Sequence, residues 1–504
     1  MNYLLYSSSS IAYPHFGVQL EEVENLIREG HRVTFAYCDG INNTCFKNMD
    51  SNMALCKACK LGYKYSLNKL PKEVELLPLK SNHNIKKHNF NYNNIEEIKK
   101  LSYREVSIGY GILSTFISFT RNPDLKLDDA TIKYIDHLIN QICNLTDAIY
   151  SLIDKVNPDA ICVFNCRFFE TKPLLDIAKS KKIDLICNEV VAHFKPNEPY
   201  RIEKYYNSMP HDIPNLKKKI INTWNISKLS KTEKVLIGES FYINKRNSEA
   251  TGLINFTMNQ KLGKLPLNWN IKKKNIVIFN SSEDEYAAIG NEFDRYALFN
   301  SQIEGIKFIL STIKSNEYQF YLRIHPNLSN IIADFHLDLL SLDDIYDNLT
   351  IIKAHEDISS NSLIDASWKV IVFGSTIGIE SVYWGKPTIL LAGALYHDLE
   401  ALYKPKSEDE LINLIKDELL PLDTLPAIKY GYFQMDREFG NFASKYVNLG
   451  LKHYSFLGFK FSQPNYMSFF ESKLLMKLIY LFYSKLLIIF YKNKFPFPKT
   501  RITK

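Results

Sequence analysis

Apolar segments of strand length alternate with amphipathic segments of helix length in two separate runs along this chain of 504 residues. One run lies within residues 1–255, the other lies within residues 270–450, and a polar stretch over 247–275 separates them. Alternating strands and helices predict mostly parallel sheets with helices on both faces. We therefore expect an α/β fold of two doubly wound, Rossmann-like domains that face a common cleft, with ligands at the carboxyl ends of the strands.

Composition excludes several classes of protein. Hydrophobic residues make up 46% of the chain and aromatic residues 13%, which excludes disorder as the main state. The net charge of +7 is too small to indicate nucleic-acid binding, so we predict no nucleic-acid partner. We find neither a signal peptide nor an uncharged apolar window of about 18 residues, and we expect a cytoplasmic protein without a membrane span.

The last part of the chain, residues 451–504, is a basic extension. From Lys473 to the end it contains eight basic residues and no acidic residue, and its segment 467–491 is rich in aromatic and aliphatic residues. Lysines among apolar residues are costly inside a bilayer but suit a helix that lies in the membrane interface. We predict a basic amphipathic helix that contacts the inner face of the plasma membrane; the alternative is a helix that packs back on the first domain.

Four cysteines, Cys38, Cys45, Cys56 and Cys59, begin a stretch over 38–100 that interrupts the first alternating run. Four thiolates suit a tetrahedral zinc ion, and we predict a structural zinc site in this insertion. An iron–sulfur cluster and a loop of unliganded thiols are the alternatives.

A basic residue and a histidine end one strand of the second domain. The segment 319–324 has the character of a strand, and it runs into Arg323, His325 and Asn327. Arginine and histidine can both donate hydrogen bonds to phosphate oxygens. We predict that these residues bind a phosphorylated ligand; the alternative is a surface His-Pro turn.

A second motif follows a buried strand and opens a helix, and it consists of Gly374, Ser375, Thr376 and Glu380. Glycine lets the backbone approach a ligand, and the free N–H groups of a helix N-terminus attract anions. The glutamate lies one turn into the helix, where its carboxylate would bind ribose hydroxyls. The alternative is an ordinary capping arrangement.

A third motif closes the first strand of the second domain. Ser281 and Ser282 precede an acidic cluster at residues 283–285. We predict that the two serines contact the same ligand. An acidic helix N-terminus is the alternative, because negative charge is favourable there.

The first domain offers candidates for a general base. Glu189 follows a buried strand and is expected to point at the cleft, where a carboxylate can accept a proton from a sugar hydroxyl. His15, in the first strand–helix loop, and Glu170 are its rivals.

Together these motifs resemble those of GT-B glycosyltransferases, and in particular of bacterial capsule and lipopolysaccharide biosynthesis proteins. The resemblance extends over about residues 1–410. It is carried by the following segments: Glu29-Gly30-His31-Arg32-Val33, Asn165-x-Arg167, Met209-Pro210-His211-Asp212, Ser281-Ser282-Glu283-Asp284-Glu285, Arg323-x-His325-Pro326, Ser375-Thr376-x-Gly378-x-Glu380 and Gly385-Lys386-Pro387. Related His-Pro and Ser/Thr motifs hold the nucleotide phosphate in bacterial sialyltransferases, Kdo transferases and CDP-glycerol phosphotransferases. The acidic-acidic-Gly motif of sialyltransferases is missing.

The resemblance implies a glycosyltransferase that uses a CMP-, CDP-, UDP- or GDP-linked sugar and a glycan or lipid-linked glycan acceptor. Arg323, His325, Ser375 and Thr376 would stabilise the leaving phosphate, and Glu189 would act as the base. No catalytic divalent metal is expected, since protein cations can take its place. A nucleotide-sugar epimerase or hydrolase, and a non-catalytic subunit of a polysaccharide assembly complex, are the alternative functions.

Overall fold

The computed structural model describes residues 1–446, except 13, 81–86, 193–198, 250, 252–258, 330, 332, 437 and 439–440, and it also describes the strands at 454–456 and 459–461. The described strands are β1 (Asn2–Ser7), β2 (Arg32–Cys38), β3 (Glu75–Leu79), β4 (Ala160–Phe164), β5 (Asp184–Ala192), β6 (Tyr200–Tyr206), β7 (Lys274–Phe279), β8 (Tyr318–Arg323), β9 (Leu349–Ile352), β10 (Lys369–Val372), β11 (Thr388–Leu390), β12 (Asn441–Ala443), β13 (Tyr454–Phe456) and β14 (Phe459–Phe461).

The helices of the same part of the chain are α1 (His15–Arg28), α2 (Met53–Leu67), α3 (Ile95–Lys99), α4 (Ile108–Thr120), α5 (Asp129–Val156), α6 (Lys172–Lys181), α7 (Ile213–Ile226), α8 (Lys231–Arg246), α9 (Glu283–Tyr286), α10 (Asn291–Asp294), α11 (Gln302–Thr312), α12 (Asp334–Leu340), α13 (Ser360–Ala366), α14 (Ile377–Tyr383), α15 (Glu408–Lys416) and α16 (Leu425–Met435). None of these helices is long and apolar enough to cross a membrane.

Two mainly parallel sheets confirm the predicted α/β fold. The first has the strand order β12-β6-β5-β4-β1-β2-β3, with β1 to β5 parallel, and the second has the order β11-β10-β7-β8-β9, with every pair parallel. The strand order reverses between β1 and β4 in the first sheet and between β7 and β10 in the second. Ligands bind outside the carboxyl ends of the strands at such switch points.

The central strands are nearly continuous apolar runs. Five of the six residues of β1 and five of the six residues of β7 are buried. Runs of this kind are typical of parallel strands that are covered on both faces. The buried sheets therefore hold their carboxyl edges in place, and the loops at those edges carry the polar residues.

The stretch over 38–100, which we expected to be an insertion with loops, contributes to the first sheet. Helix α2 follows β2 and leads to β3, which pairs in parallel with β2 along residues 34–38. The four-cysteine segment is therefore the crossover of a strand–helix–strand unit. Strand β3 could not be identified from the sequence, because the apolar pattern in 75–79 is too short.

Two helices before the linker belong to the second core. Leu216 and Ile220 of α7, with Phe241 and Tyr242 of α8, lie in one buried cluster with residues of β7 such as Val277. By packing, the first domain thus ends after β6 rather than near residue 255, because the apolar faces of α7 and α8 are covered by the second sheet and by α16.

The chain returns to the first domain after α16. Strand β12 pairs antiparallel with β6, and the main chain at Ser444 and Lys445 donates hydrogen bonds of 2.9 and 2.8 Å to the Glu21 carboxylate on α1. The predicted interfacial helix at 467–491 lies outside the described residues, and its contact with membrane stays a prediction.

Two glycines with left-handed backbone provide a matched test of the fold. Gly374 has φ +88°, and a Cβ there would lie 2.5 Å from the Gly393 carbonyl oxygen, whereas Gly385 has φ +73° and open space. We expect Gly385→Ala to cost about 1–2 kcal/mol, the usual cost of a left-handed residue. Gly374→Ala should cost clearly more, because the Gly393 backbone must also move. Urea unfolding of both variants checks this, and equal losses would contradict it.

Candidate active site

The loops after β7, β8 and β10 are tied together at the switch point of the second sheet. The His325 backbone N–H donates to Asn280 Oδ1 at 2.7 Å, and Ser281 Oγ donates to the Phe373 carbonyl oxygen at 2.8 Å. Gln302 holds Ser281 from the other side, through hydrogen bonds of 2.9 and 2.8 Å. Ser281 therefore braces the edge, and its hydroxyl is already used within the protein.

Ser282 and Asn327 lie together on this edge. Asn327 Nδ2 donates to Ser282 Oγ at 3.1 Å and to Glu285 Oε1 at 2.6 Å. The amide thus links the loop after β8 to the loop after β7.

The glycine-containing motif adopts a turn that only glycine fits well. The left-handed backbone of Gly374 brings the chain against Gly393, and the Tyr396 hydroxyl donates to the carbonyl oxygen of Ser375. Thr376 precedes α14 with helical backbone angles and makes no side-chain cap. The capping alternative is met in part, because Ser375 Oγ accepts from the Ile377 N–H at 3.4 Å at the start of the helix.

Arg323 has a different role from the predicted one. Its side chain is buried, and its Nη1 and Nη2 groups donate to the carbonyl oxygens of Lys353 at 2.6 Å and Glu356 at 3.0 Å. These bonds tie the loop after β9 to the end of β8. Because both Nη groups are used on the backbone, Arg323 supports the edge rather than presenting a free cation to the cleft.

His325 is a neutral hydrogen-bonding group. The Asn327 backbone N–H donates to His325 Nδ1 at 3.2 Å, which assigns the proton of the neutral ring to Nε2. Burial first, and then the nearby charges of Arg121, Lys245 and Arg323, lower the pKa of His325 to about 4. At neutral pH the ring is therefore uncharged, and it acts as one donor instead of the cation we expected.

Two basic residues near His325, Arg121 and Lys245, were not among the candidates identified from the sequence. Arg121 follows α4 in the first domain, where it pairs with Asp284 and donates from Nη2 to Ser282 Oγ at 3.1 Å. Lys245, in the last turn of α8, donates to Thr376 Oγ1 at 3.2 Å and pairs with Glu380. Neither residue belongs to a motif, and both lie more than 100 residues from their partners, so no local pattern indicates them.

Glu380 consequently has a partner that the sequence did not suggest. Its carboxylate is almost fully buried and paired with the Lys245 ammonium group, which is itself 13% exposed. The pair lies beside Thr376 at the start of α14. Glu380 therefore lies one turn into α14, and its negative charge is balanced by Lys245.

On the first domain, Glu189 has the properties of a base. Its Oε2 accepts from Asn165 Nδ2 at 2.6 Å, and its Oε1 accepts from the Val190 N–H at 3.1 Å. Burial raises the pKa of Glu189 to about 7, although these two hydrogen bonds and the charge of Arg167 act in the opposite direction. A base with a pKa near the working pH is well suited to take up a proton from a hydroxyl group.

The two rivals of Glu189 are less well placed. Burial lowers the pKa of His15 to about 3, and the ring lies against Phe164 with centroids 3.9 Å apart and planes tilted by 32°. Glu170 is buried, and it accepts from the Phe46 N–H at 2.7 Å, so it holds the cysteine-containing loop.

Arg167 joins the two sides of the site. Its Nη1 donates to the Glu285 carbonyl oxygen in the second domain at 2.6 Å, and its Nη2 donates to Ser118 Oγ at 2.9 Å. The charge of Glu189 raises the pKa of Arg167, against the larger lowering by burial. Glu189 is therefore linked through Arg167 and Glu285 to Asn327, which is bonded to His325.

The four predicted zinc ligands are uncrosslinked and make other contacts. Cys59 Sγ accepts from the Ser10 N–H at 3.3 Å, and Cys56 Sγ accepts from Asn48 Nδ2 at 3.1 Å. Burial raises the pKa of Cys38 and of Cys45. Among the described residues, no three His, Cys, Asp or Glu side chains form a group that could hold a metal ion, so the structure does not assemble the expected set.

No protein-family profile matches the sequence, and neither does any curated protein. Among solved structures, the beta Kdo 2,4 transferase KpsC of Thermosulfurimonas dismutans matches at 11% identity, over 54% of this chain and 79% of that chain, with a TM-score of 0.35. Spinosyn rhamnosyltransferase SpnG matches at 10% identity, over 86% and 95%, with a TM-score of 0.25. UDP-GlcNAc 2-epimerase of Methanocaldococcus jannaschii matches at 12% identity, over 85% and 98%, with a TM-score of 0.24.

The fold follows from the topology itself. Each domain contains a doubly wound sheet, and the switch points of the two sheets lie near the contact between the domains. After α16 the chain returns to the first sheet as β12. This is the architecture of the GT-B glycosyltransferases.

The depressed pKa of His325 predicts how acid affects stability. The folded protein holds the ring neutral down to about pH 4, whereas an unfolded histidine takes up a proton near pH 6.5. The contribution of His325 is therefore fully present above pH 6.5 and is lost as the pH falls toward 4, by at most about 1.4 kcal/mol per pH unit. We expect His325→Gln to flatten the fall in unfolding free energy between pH 6.5 and 4.5.

His355, an exposed histidine, supplies the control. His355→Gln should leave the pH dependence of the wild-type protein unchanged. Identical pH profiles for wild type and His325→Gln would contradict the buried neutral ring.

Proposed function

We propose that this protein transfers a sugar from a nucleotide-activated donor to a glycan acceptor. The observation that carries the proposal is the arrangement at the switch point of the second sheet, where Arg121 contacts Ser282, Lys245 contacts Thr376, and the charges of both act on His325. Phosphate groups are bound by such sets of cations and donors. Glu189, with a pKa near 7, lies close enough to Arg167 to feel its charge, and Arg167 donates to the Glu285 carbonyl oxygen of the second domain.

On the donor side, these groups would stabilise the phosphate that leaves with the nucleotide. Negative charge develops on that phosphate as the bond to the sugar breaks, and preorganised donors favour the transition state where charge develops. Lys245 and the Thr376 hydroxyl lie together, and Arg121 reaches the same edge from the other domain. Cations of the protein would thus supply the charge that a divalent metal supplies in other enzymes.

On the acceptor side, Glu189 would take the proton of the attacking hydroxyl. Asn165 fixes one carboxylate oxygen, and the Val190 N–H fixes the other. The sequence resemblance extends the proposal to a capsule or lipopolysaccharide glycan as acceptor, at the cytoplasmic face of the membrane. The donor would carry CMP, CDP, UDP or GDP.

Nucleotide binding is the first test. A panel of CMP, CDP, UDP and GDP is tested at one common concentration, and the correct nucleotide should raise the free energy of unfolding most, by about 2.7 kcal/mol where that concentration is 100 times its dissociation constant. We expect Lys245→Ala and His325→Ala to lose most of this stabilisation, since both contact groups are removed. Lys272→Ala, at an exposed linker lysine, is the control and should respond like wild type. A protein that no nucleotide stabilises would refute the donor site.

Turnover tests the base. Glu189→Gln keeps the shape of the side chain but not its basicity, so kcat should fall about 10²–10⁴-fold while nucleotide binding is retained. In the wild type, activity should rise with pH as Glu189 loses its proton near pH 7. If Glu170→Gln abolished turnover and Glu189→Gln did not, the assignment of Glu189 as the base would be wrong.

Incubation with the donor alone tests the alternative function. An epimerase would convert the sugar of the donor to its epimer, and a hydrolase would release the sugar, in both cases without an acceptor.

A further inference from the structure

Helix α2 has an unusual outer face. Its solvent-exposed residues recur at helical spacing and consist of three large apolar side chains and three lysines, namely Met53, Lys57, Lys60, Leu61, Lys64 and Tyr65. We call this set the α2 outer face. Met53, Leu61 and Tyr65 are 47%, 53% and 37% exposed, so each leaves much apolar surface in water.

The charge of this face has one sign. Residues 51–72 contain five lysines and no acidic residue. Lys60 pairs with Asp39, at 3.0 Å, but Lys57 and Lys64 have no acidic partner among the described residues. Helix α8 offers a contrast, because its exposed Lys231 and Leu236 share the helix with Glu233 and Glu239.

We propose that the α2 outer face docks on an anionic lipid bilayer. Apolar side chains and a tyrosine between lysines suit the membrane interface, where rings and methylene stems enter the headgroup region and ammonium groups stay with lipid phosphates. The positive charges of Lys57 and Lys64 are complementary to anionic lipid, and each would strengthen binding about fivefold. An acidic protein surface would complement the charge but leaves the three apolar groups unexplained.

The inner face of α2 connects this surface to the cleft. The Tyr63 hydroxyl donates to the Ser7 carbonyl oxygen at 2.9 Å, and Ser10 Oγ donates to the Cys59 carbonyl oxygen at 2.6 Å. Both serines belong to the carboxyl end of β1 or to the loop after it, the edge at which we place the acceptor. Docking through α2 would therefore bring that edge close to lipid. The docking proposal stands apart from the proposed function, because vesicle binding requires no turnover.

Vesicle sedimentation of the full-length protein tests the proposal. We expect binding to phosphatidylcholine vesicles that contain phosphatidylglycerol, weaker binding in high salt, and little binding to pure phosphatidylcholine. The variant Lys57→Gln/Leu61→Ser/Lys64→Gln should bind the anionic vesicles at least about 25-fold more weakly, from the two lysines alone. The control Lys228→Gln/Lys231→Gln/Leu236→Ser removes the same residue types from another exposed surface and should bind like wild type.

A second variant, Lys57→Glu/Lys64→Glu, changes only exposed charges and keeps the test decisive if the triple variant does not fold. It should bind more weakly still. Equal binding of wild type and both α2 variants would overturn the proposal, even if the C-terminal extension holds the protein on lipid. Failure of the full-length protein to bind anionic vesicles, or equal binding to neutral vesicles, would overturn it as well.

Discussion

The contact between Arg121 and Asp284 holds the two halves of the candidate site against each other. Asp284 is 1% exposed and belongs to the second domain, while Arg121 comes from the end of α4 in the first domain. A buried carboxylate without its partner costs about 3–5 kcal/mol, so this pair favours the apposed arrangement of the domains. Arg167 adds a second link across the same contact, through the Glu285 carbonyl oxygen. The ion pair of Lys99 with Asp294, at 3.0 Å, is a further link between the two domains.

The same cations set the chemical state of the site. Arg121 and Lys245 disfavour a positive charge on His325, which burial already disfavours, so the ring is a neutral donor. Across the contact, burial leaves Glu189 with a pKa of about 7. A neutral histidine and a carboxyl group that is about half-ionised near neutral pH are the states that the proposed donor and base roles require.

The chain path explains how distant residues reach this edge. Helices α7 and α8 precede the linker but pack in the second core, and this packing places Lys245 beside Thr376. After α16 the chain returns to the first sheet as β12. The second domain therefore includes α7 and α8 from before the linker, and the first domain includes β12 from after it. A single boundary near residue 255 describes neither feature.

The amino-acid sequence by itself determined the two α/β domains, because apolar runs of strand length are local features that period and length reveal. It also located Ser282, His325, Asn327, Thr376 and Glu380, since residues that follow buried strands lie at a common edge of a parallel sheet. Only the tertiary structure decided which partners the side chains have there: Arg323 and Ser281 bond to the backbone, whereas Arg121 and Lys245 arrive from far along the chain and pair with Asp284 and Glu380. Burial and pairing depend on contacts between segments that sequence spacing does not relate, and so the pKa of Glu189 and the neutral state of His325 could not be predicted from residue order alone.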